Sequence, residues 1–217
     1  MRTLVGFIGT RGTSKAARPI GALCVAVGMF VGGTVSAAAS GPSGYNAVSQ
    51  FSVARNPSGP WSYLLDGEHF THTGSRSAAS PECPCWWNGN QYPSSAIIGA
   101  NRGASTLHYE TIVLPAGYID LDPESTGNVG LRWTAPVTGT FTVSGRFVGV
   151  DVDEADHMVG VYHDGAPLYS ESMSKYGQRA PFDLTVHAVK GDTVDFVSWS
   201  NGPSYLSTGL QVVIRLE

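Results

Sequence analysis

Two runs of alternating apolar and polar residues constrain the fold more than any other feature of the chain. They meet across a short turn at 135–139, and within each run the apolar side chains share one parity. A period of two is the signature of half-buried antiparallel strands. The segment 129–150 therefore predicts a hairpin at the centre of an all-β domain. Its apolar positions are Val129, Leu131, Trp133, Phe141, Val143 and Phe147.

Similar segments follow along the chain and are separated by turn residues. The dipeptide Asp164-Gly165 is a strong hairpin-turn signal, and the segment 210–216 alternates again. About nine or ten strands are expected, and no segment shows helical periodicity. Because an antiparallel sheet buries one face against a second layer, the pattern predicts an antiparallel two-sheet β-sandwich of jelly-roll type.

The N-terminal segment predicts export. Basic residues precede an apolar run from Ile20 to Val35, and small residues follow at 36–40. This order is typical of a secretory signal peptide. A membrane anchor is the alternative, but glycines interrupt the run and it is short for a spanning helix. Cleavage after Ala37 makes 1–37 the signal peptide and 38–217 a single domain, secreted or periplasmic, with no membrane anchor after cleavage.

The charge of the remaining chain limits its partners. Loss of residues 1–37 removes four of the 13 basic residues and none of the 17 acidic ones, so the formal net charge moves from −4 to −8. An acidic surface argues against nucleic acid or anionic lipid as a partner.

The alternation stops between 74 and 103, which predicts a long loop with an aromatic middle. Long loops in compact domains are usually functional. Aromatic rings stack on the apolar faces of sugars, and neighbouring amides supply hydrogen bonds. Packing of the loop itself is the alternative, and adjacent tryptophans in an extended stretch point to opposite faces. The candidate ligand-binding residues are Trp86, Trp87, Tyr92, Asn88 and Asn90.

Two cysteines, Cys83 and Cys85, remain after cleavage and are separated by one proline. Export favours a disulfide between them, although a ring this small strains the preferred geometry. A local loop constraint or a pair of thiols is the alternative, and a metal site would need further ligands.

The acidic turn 151–156 is a candidate calcium site. Asp151, Asp153 and Asp156 place hard oxygen ligands in one turn, as calcium requires. The spacing does not complete an EF-hand loop, and a solvated acidic turn is the alternative. We therefore expect no cofactor, with structural calcium as the alternative.

Catalytic motifs are not found in the sequence. The six histidines are scattered, and GxSxG, HExxH and CxxC do not occur. A glycosidase or polysaccharide lyase would have to assemble distant carboxylates such as Glu68, Glu110 and Asp120 by folding. We therefore expect a protein that is not an enzyme.

Several stretches resemble a group of exported bacterial domains, over nearly the whole mature chain. The family pattern runs FS…NPNGxWSYG, WW, LHPG…VRWTAPxxGTY, VNG, GDTIDF and DSTGL. The matching stretches are FSVARNPSGPWSY at 51–63, CWW at 85–87, LDPESTGNVGLRWTAPVTGTFTVSGRF at 121–147, HDG at 163–165, KGDTVDF at 190–196 and STGL at 207–210. Members are similar in outline to jelly-roll carbohydrate-binding modules, and they often end in a Pro-Glu-Pro sorting signal that is not seen here. The resemblance implies fold and export more than chemistry.

Two departures from the family pattern stand out. Leu206 occupies the position of the aspartate before STGL, which weakens a metal role for that corner, and Glu124 stands where a glycine is usual. Together, these observations predict a non-catalytic exported β-sandwich module that binds a polysaccharide or cell-surface glycan through loop aromatics. The alternative is a structural or adhesive protein of the extracellular matrix or envelope.

Overall fold

The computed structural model describes residues 44–74, 84–90, 95–123, 127–200, 202 and 205–217. Every regular element in these ranges is a β-strand, which confirms the all-β prediction. No helix long and apolar enough to cross a membrane occurs in the described ranges. The strands are β1 (Tyr45–Asn46), β2 (Trp61–Leu65), β3 (Glu68–His69), β4 (His72–Gly74), β5 (Cys85–Trp87), β6 (Ile97–Asn101), β7 (Leu107–Tyr109), β8 (Ile112–Leu114), β9 (Tyr118–Asp122), β10 (Asn128–Thr134), β11 (Gly139–Gly149), β12 (His157–His163), β13 (Ala166–Met173), β14 (Arg179–Ala188), β15 (Thr193–Ser200) and β16 (Thr208–Leu216).

The strands form two main antiparallel sheets. Sheet A has the order β14-β11-β16-β9-β6-β5-β4, with β1 beside β16, and sheet B has the order β13-β12-β15-β10-β2-β3. Successive strands from β9 onwards alternate between the sheets, except that β12 and β13 form a hairpin in sheet B. Two four-stranded layers, β9-β16-β11-β14 and β10-β15-β12-β13, result from this winding. This is a jelly-roll sandwich, as the sequence predicts.

The central segment is not the predicted hairpin. Strand β10 pairs with β15 and β2 in sheet B, whereas β11 pairs with β14 and β16 in sheet A. The connection between them crosses from one sheet to the other, so Trp133 and Phe141 meet across the core with ring centroids 4.9 Å apart. The apolar side chains of both strands face the same core. A crossing between the sheets therefore explains the alternation as well as a hairpin does.

One core fills the space between the sheets. Its largest fully buried side chains include Trp61 and Trp133 from sheet B and Phe147 from sheet A. The inner faces follow the period of two, because successive side chains of a strand point to opposite faces. In β15, for example, Phe196 is buried and Val197 is half-buried on the outer face.

A second, smaller cluster lies on the outer face of sheet A. The β7–β8 hairpin packs Ile112 and Leu114 against Tyr118, Val148 and Val150. The hairpin therefore covers one part of the outer face of sheet A. It does not cover the part around β11, β16 and β1.

The predicted β12–β13 hairpin is confirmed. Asp164 and Gly165 have φ angles of 47° and 79°, as a tight type I′ turn requires, and β12 pairs with β13 on either side of them. The predicted signal peptide, residues 1–37, lies outside the described residues.

Candidate functional site

The described residues of the segment 74–103, which are 74, 84–90 and 95–103, include two strands. Its CWW motif forms strand β5, which pairs with β4 and β6 at the edge of sheet A. Adjacent residues of a strand point to opposite faces of the sheet, so Trp86 and Trp87 have different surroundings, as the sequence predicts.

Trp86 is a core residue, and its burial contradicts an exposed stacking role. Its side chain is 5% exposed and stacks on Tyr63, with ring centroids 6.0 Å apart. Its indole Nε1 donates to the carbonyl of Ser52 at 2.8 Å. Both the ring faces and the polar handle of Trp86 are therefore used inside the protein.

Trp87 lies on the outer face of the same strand and is half-buried. It stands opposite His72 on β4, which is exposed. Two glycines flank this pair: a Cβ on Gly74 would lie 3.5 Å from the Trp87 indole, and one on Gly89 would lie 3.6 Å from the His72 ring. Small neighbours leave the two rings accessible at the sheet edge.

The polar candidates beside Trp87 lie in the turn after β5. The backbone N–H of Asn88 donates to Ala96, and that of Asn90 donates to the side chain of Asn88. Asn90 is exposed. Tyr92, the remaining sequence candidate, lies outside the described residues.

Cys85 is buried at the edge of sheet A, and its Sγ donates to the carbonyl oxygen of Gly74. Cys83 lies outside the described residues, so the predicted Cys83–Cys85 disulfide stays a prediction.

The acidic turn does not gather its three predicted calcium ligands. Asp151 is buried and accepts hydrogen bonds from Thr111 Oγ1 and the Asp153 backbone, both at 3.0 Å. Asp153 and Asp156 are exposed. Within the described ranges, one group of histidine and carboxylate ligand atoms lies within 4.8 Å of one another, and it comprises His163, Asp164 and Asp192. Calcium binding at the acidic turn stays a prediction, without a converging ligand set to support it.

The carboxylate that turns inward from this segment is Glu154, which belongs to the same acidic turn. Its side chain is fully buried, and Oε2 accepts the backbone N–H of Asp151 at 3.1 Å. Burial raises the pKa of Glu154 to about 9, and the carboxylates of Asp151 and Asp120 add to the rise. A glutamic acid that is neutral at pH 7 is thus part of the core.

The carboxylates considered for catalysis do not converge. Glu68 is exposed on β3 at the edge of sheet B, whereas Asp120 is buried in sheet A, where Tyr109 donates to it. Glu110 is exposed in the turn between β7 and β8. A glycosidase of the usual type needs two carboxyl groups that face one bond.

An aromatic surface that sequence reasoning missed lies on the outer face of sheet B. Trp199 on β15 and Tyr162 on β12 are half-buried, with ring centroids 6.0 Å apart. Both lean over Gly160, because a Cβ there would lie 3.0 Å from the Tyr162 ring and 3.1 Å from the Trp199 ring. We call Tyr162, Gly160 and Trp199 the aromatic platform.

The platform has free polar handles and polar flanks. Neither Trp199 Nε1 nor the Tyr162 hydroxyl has a hydrogen-bond partner in the part of the chain that the structure describes. Trp199 pairs with Asn128 on β10 on one side and with Met158 on β12 on the other. Met158 in turn pairs with Ser172 on β13. A row of four strands spans about 14 Å at the usual strand spacing.

The signal for this platform was present in the sequence. In TVDFVSWS the core parity holds Val194, Phe196 and Ser198, so Trp199 falls on the opposite parity and faces outward. Its pairing with Tyr162 depends on β12 lying beside β15, which alternation does not reveal.

Three solved structures of carbohydrate-binding modules are similar to this chain. A family 35 module from Paenibacillus barcinonensis is 15% identical, with 53% of this chain and 88% of that chain covered and a TM-score of 0.31. A family 35 module from Clostridium thermocellum is 14% identical, with 55% and 90% covered and a TM-score of 0.33. A family 51 module from Clostridium perfringens, in complex with methyl-galactose, is 16% identical, with 52% and 80% covered and a TM-score of 0.33.

No family model matches the sequence, and no curated protein matches it. TM-scores near 0.3 do not establish a shared fold, so the assignment as a jelly-roll sandwich rests on the strand order described above.

Proposed function

We propose that this protein is an exported, non-catalytic β-sandwich module that binds a polysaccharide or cell-surface glycan. The observation that carries the proposal is the aromatic platform on sheet B. Two half-buried rings stand side by side over a glycine, with unused N–H and O–H donors at their edges. Apolar ring faces with a few placed polar groups are the usual way in which proteins bind sugars and other amphipathic ligands.

Gly160 leaves room for the two rings above the sheet. A residue with a Cβ would push both rings away from the sheet, and the Tyr169 carbonyl is only 3.0 Å from the Cβ position. With glycine, the two rings pack against each other over this position, with their planes tilted by 52°. Rigid aromatics lose little conformational freedom on binding, which favours affinity for a weakly held sugar.

Trp87, Asn88 and Asn90 form a second candidate surface for the same function. Trp87 is half-buried at the edge of sheet A, beside the exposed His72 and Asn90. The two surfaces lie on different sheets, so each tryptophan serves as the matched control of the other.

The test is affinity electrophoresis of the purified protein through gels that contain single polysaccharides. We expect retardation of the wild type on at least one glycan, and loss of that retardation in Trp199→Ala, because stacking on one aromatic ring contributes about 1 kcal/mol or more. Trp87→Ala should migrate like the wild type. Circular dichroism of each variant checks that the fold is kept.

Two outcomes would contradict the assignment to sheet B. If Trp87→Ala abolishes retardation and Trp199→Ala does not, the glycan binds at the edge of sheet A. If the wild type is not retarded on any gel, the protein is a structural or adhesive one, and both tryptophans serve packing.

A further inference from the structure

A groove lined by both polar and apolar residues lies on the outer face of sheet A, on the side opposite the aromatic platform. It has a volume of about 340 Å³ and is lined mainly by Asn46, Ser144, Arg146, Pro181 and Gln211. Asn46 and Gln211 also line a neighbouring hollow of about 390 Å³ that reaches Arg102. The two together form a continuous surface, which we call the arginine groove.

Arg146 is held in one orientation by neutral groups. Its Nη2 donates to Gln211 Oε1 at 2.7 Å, and Gln211 Nε2 in turn donates to the carbonyl of Gly117 at 3.3 Å. The guanidinium carbon lies 5.8 Å from the centroid of the Tyr118 ring. These contacts fix the plane of the guanidinium without neutralising its charge.

The charge of Arg146 has no carboxylate partner. Its Nε is buried without a hydrogen-bond partner, and no ion pair to Arg146 occurs in the described part of the chain. Arg132 on sheet B shows the contrast, since its Nε and Nη2 contact the two Asp195 oxygens at 2.6 and 2.8 Å. A half-buried guanidinium that keeps its charge unpaired is a ready site for an anion.

The lining of the arginine groove contains arginines and no carboxylate, although the protein as a whole is acidic. The sequence has 17 acidic and 13 basic residues, yet neither hollow of the arginine groove is lined by a carboxylate, and both contain an arginine. Arg102 uses one nitrogen to contact the Phe51 carbonyl at 3.1 Å and is exposed. Asp183, opposite Ser144, lies beside the groove but does not line it.

We propose that the arginine groove is a second binding site, which takes an anionic glycan and pairs Arg146 with its carboxylate or sulfate ester. Both groups present two oxygens that a guanidinium binds with two hydrogen bonds, here from Nη1 and the second N–H of Nη2, because Nε is buried. The amides of Asn46 and Gln211 and the hydroxyl of Ser144 bind the sugar hydroxyls. This site uses no residue of the aromatic platform. Binding at the arginine groove can therefore be tested separately from binding at the platform.

The test measures retardation of the full chain on gels that contain polygalacturonate, dextran sulfate or neutral dextran. We expect retardation by one or both anionic polymers. Arg146→Gln should weaken this interaction about tenfold or more, the usual loss for a charge-assisted hydrogen bond. Gln211→Ala keeps the charge but releases the guanidinium, and should give a smaller loss.

Arg215→Gln is the matched control, because Arg215 is exposed in the same sheet and does not line the groove. It should bind like the wild type, as should Trp199→Ala. Retardation on polygalacturonate identifies a carboxylate ligand, and retardation on dextran sulfate alone identifies a sulfate ester.

Three results would overturn the proposal. The first is unchanged retardation of Arg146→Gln on the anionic gels. The second is an equal loss of retardation in Arg215→Gln, which would show a general charge effect. The third is a wild type that both anionic polymers retard no more than neutral dextran does. Loss of retardation by Trp199→Ala on a neutral glycan, with anionic binding intact, would support both sites separately.

Discussion

Glu154→Gln is expected to abolish most of the loss of stability that the wild type suffers between pH 6.5 and 9. Glu154 is fully buried, and His157 Nδ1 lies 3.5 Å from its Oε1. That histidine supplies no counter-charge, because burial lowers the pKa of His157 and outweighs the opposite effect of the Ala155 carbonyl, which Nδ1 contacts at 2.9 Å. Its Nε2 contacts Thr208 Oγ1 at 2.7 Å.

The direction of this pH dependence follows from the difference in the pKa of Glu154 between the folded and unfolded states. The pKa of Glu154 is about 9 in the folded protein, because burial raises it from its ordinary value of 4.5. Between these values the folded state holds a proton that the unfolded state has lost, so the free energy of unfolding falls as pH rises, by up to about 1.4 kcal/mol per unit.

The lowered pKa of His157 has the opposite effect at the acidic end. Its unfolded form gains a proton below pH 6.5, before the folded form does, so stability is lost as pH falls from there. The two groups offset each other below pH 6.5. Above it the Glu154 contribution stands alone and amounts to about 3 kcal/mol by pH 9.

Urea unfolding at half-unit steps of pH measures this effect. The wild type should lose stability steadily from pH 6.5 to 9, whereas Glu154→Gln, neutral throughout, should be nearly flat. Glu171→Gln, a change at an exposed carboxylate on β13, is the matched control and should keep the wild-type slope. An equal slope in Glu154→Gln and the wild type would show that Glu154 is ionised in the folded protein.

Trp133→Ala is expected to reduce the free energy of unfolding by about 3–5 kcal/mol, the usual cost of truncating a buried tryptophan. Trp133 is fully buried between the sheets, and its ring lies 4.9 Å from Phe141 and 5.4 Å from Tyr45. Its neighbours across the strands are Trp61 and Val194. A loss of this size is a large share of the total stability of an ordinary domain.

Urea unfolding at pH 7, followed by circular dichroism, measures this loss without relying on tryptophan fluorescence. Trp133→Phe should cost less, because it leaves a smaller cavity and removes an indole Nε1 that is buried without a hydrogen-bond partner. Trp87→Ala, the same change at a half-buried position, should cost less than Trp133→Ala. Similar losses at positions 87 and 133 would mean that Trp87 is packed as tightly as the core.

Which side chains face the core was largely readable from the sequence. The parity of Val129, Leu131 and Trp133 is the parity that the structure buries, and the Asp164-Gly165 turn joins two paired strands. Both are properties of a few neighbouring residues, since alternation follows from strand geometry and the turn from backbone conformation.

Which strands become neighbours was decided only by the tertiary structure. The segment 129–150 reads equally well as a hairpin or as a crossing between sheets, because both bury the same side chains. The candidate sites depend on that choice: Tyr162 meets Trp199 because β12 lies beside β15, and Arg146 meets Gln211, 65 residues away, because β11 lies beside β16.

The two tryptophans of the CWW motif show the same division. Sequence establishes that adjacent residues in an extended strand face opposite ways. Only the pairing of β5 between β4 and β6 in sheet A decides that Trp86 points into the core and Trp87 points out. Local periodicity is set by the geometry of one strand, whereas pairing is set by the burial and hydrogen bonding of all the strands at once, and this protein's proposed binding surfaces arise from the pairing.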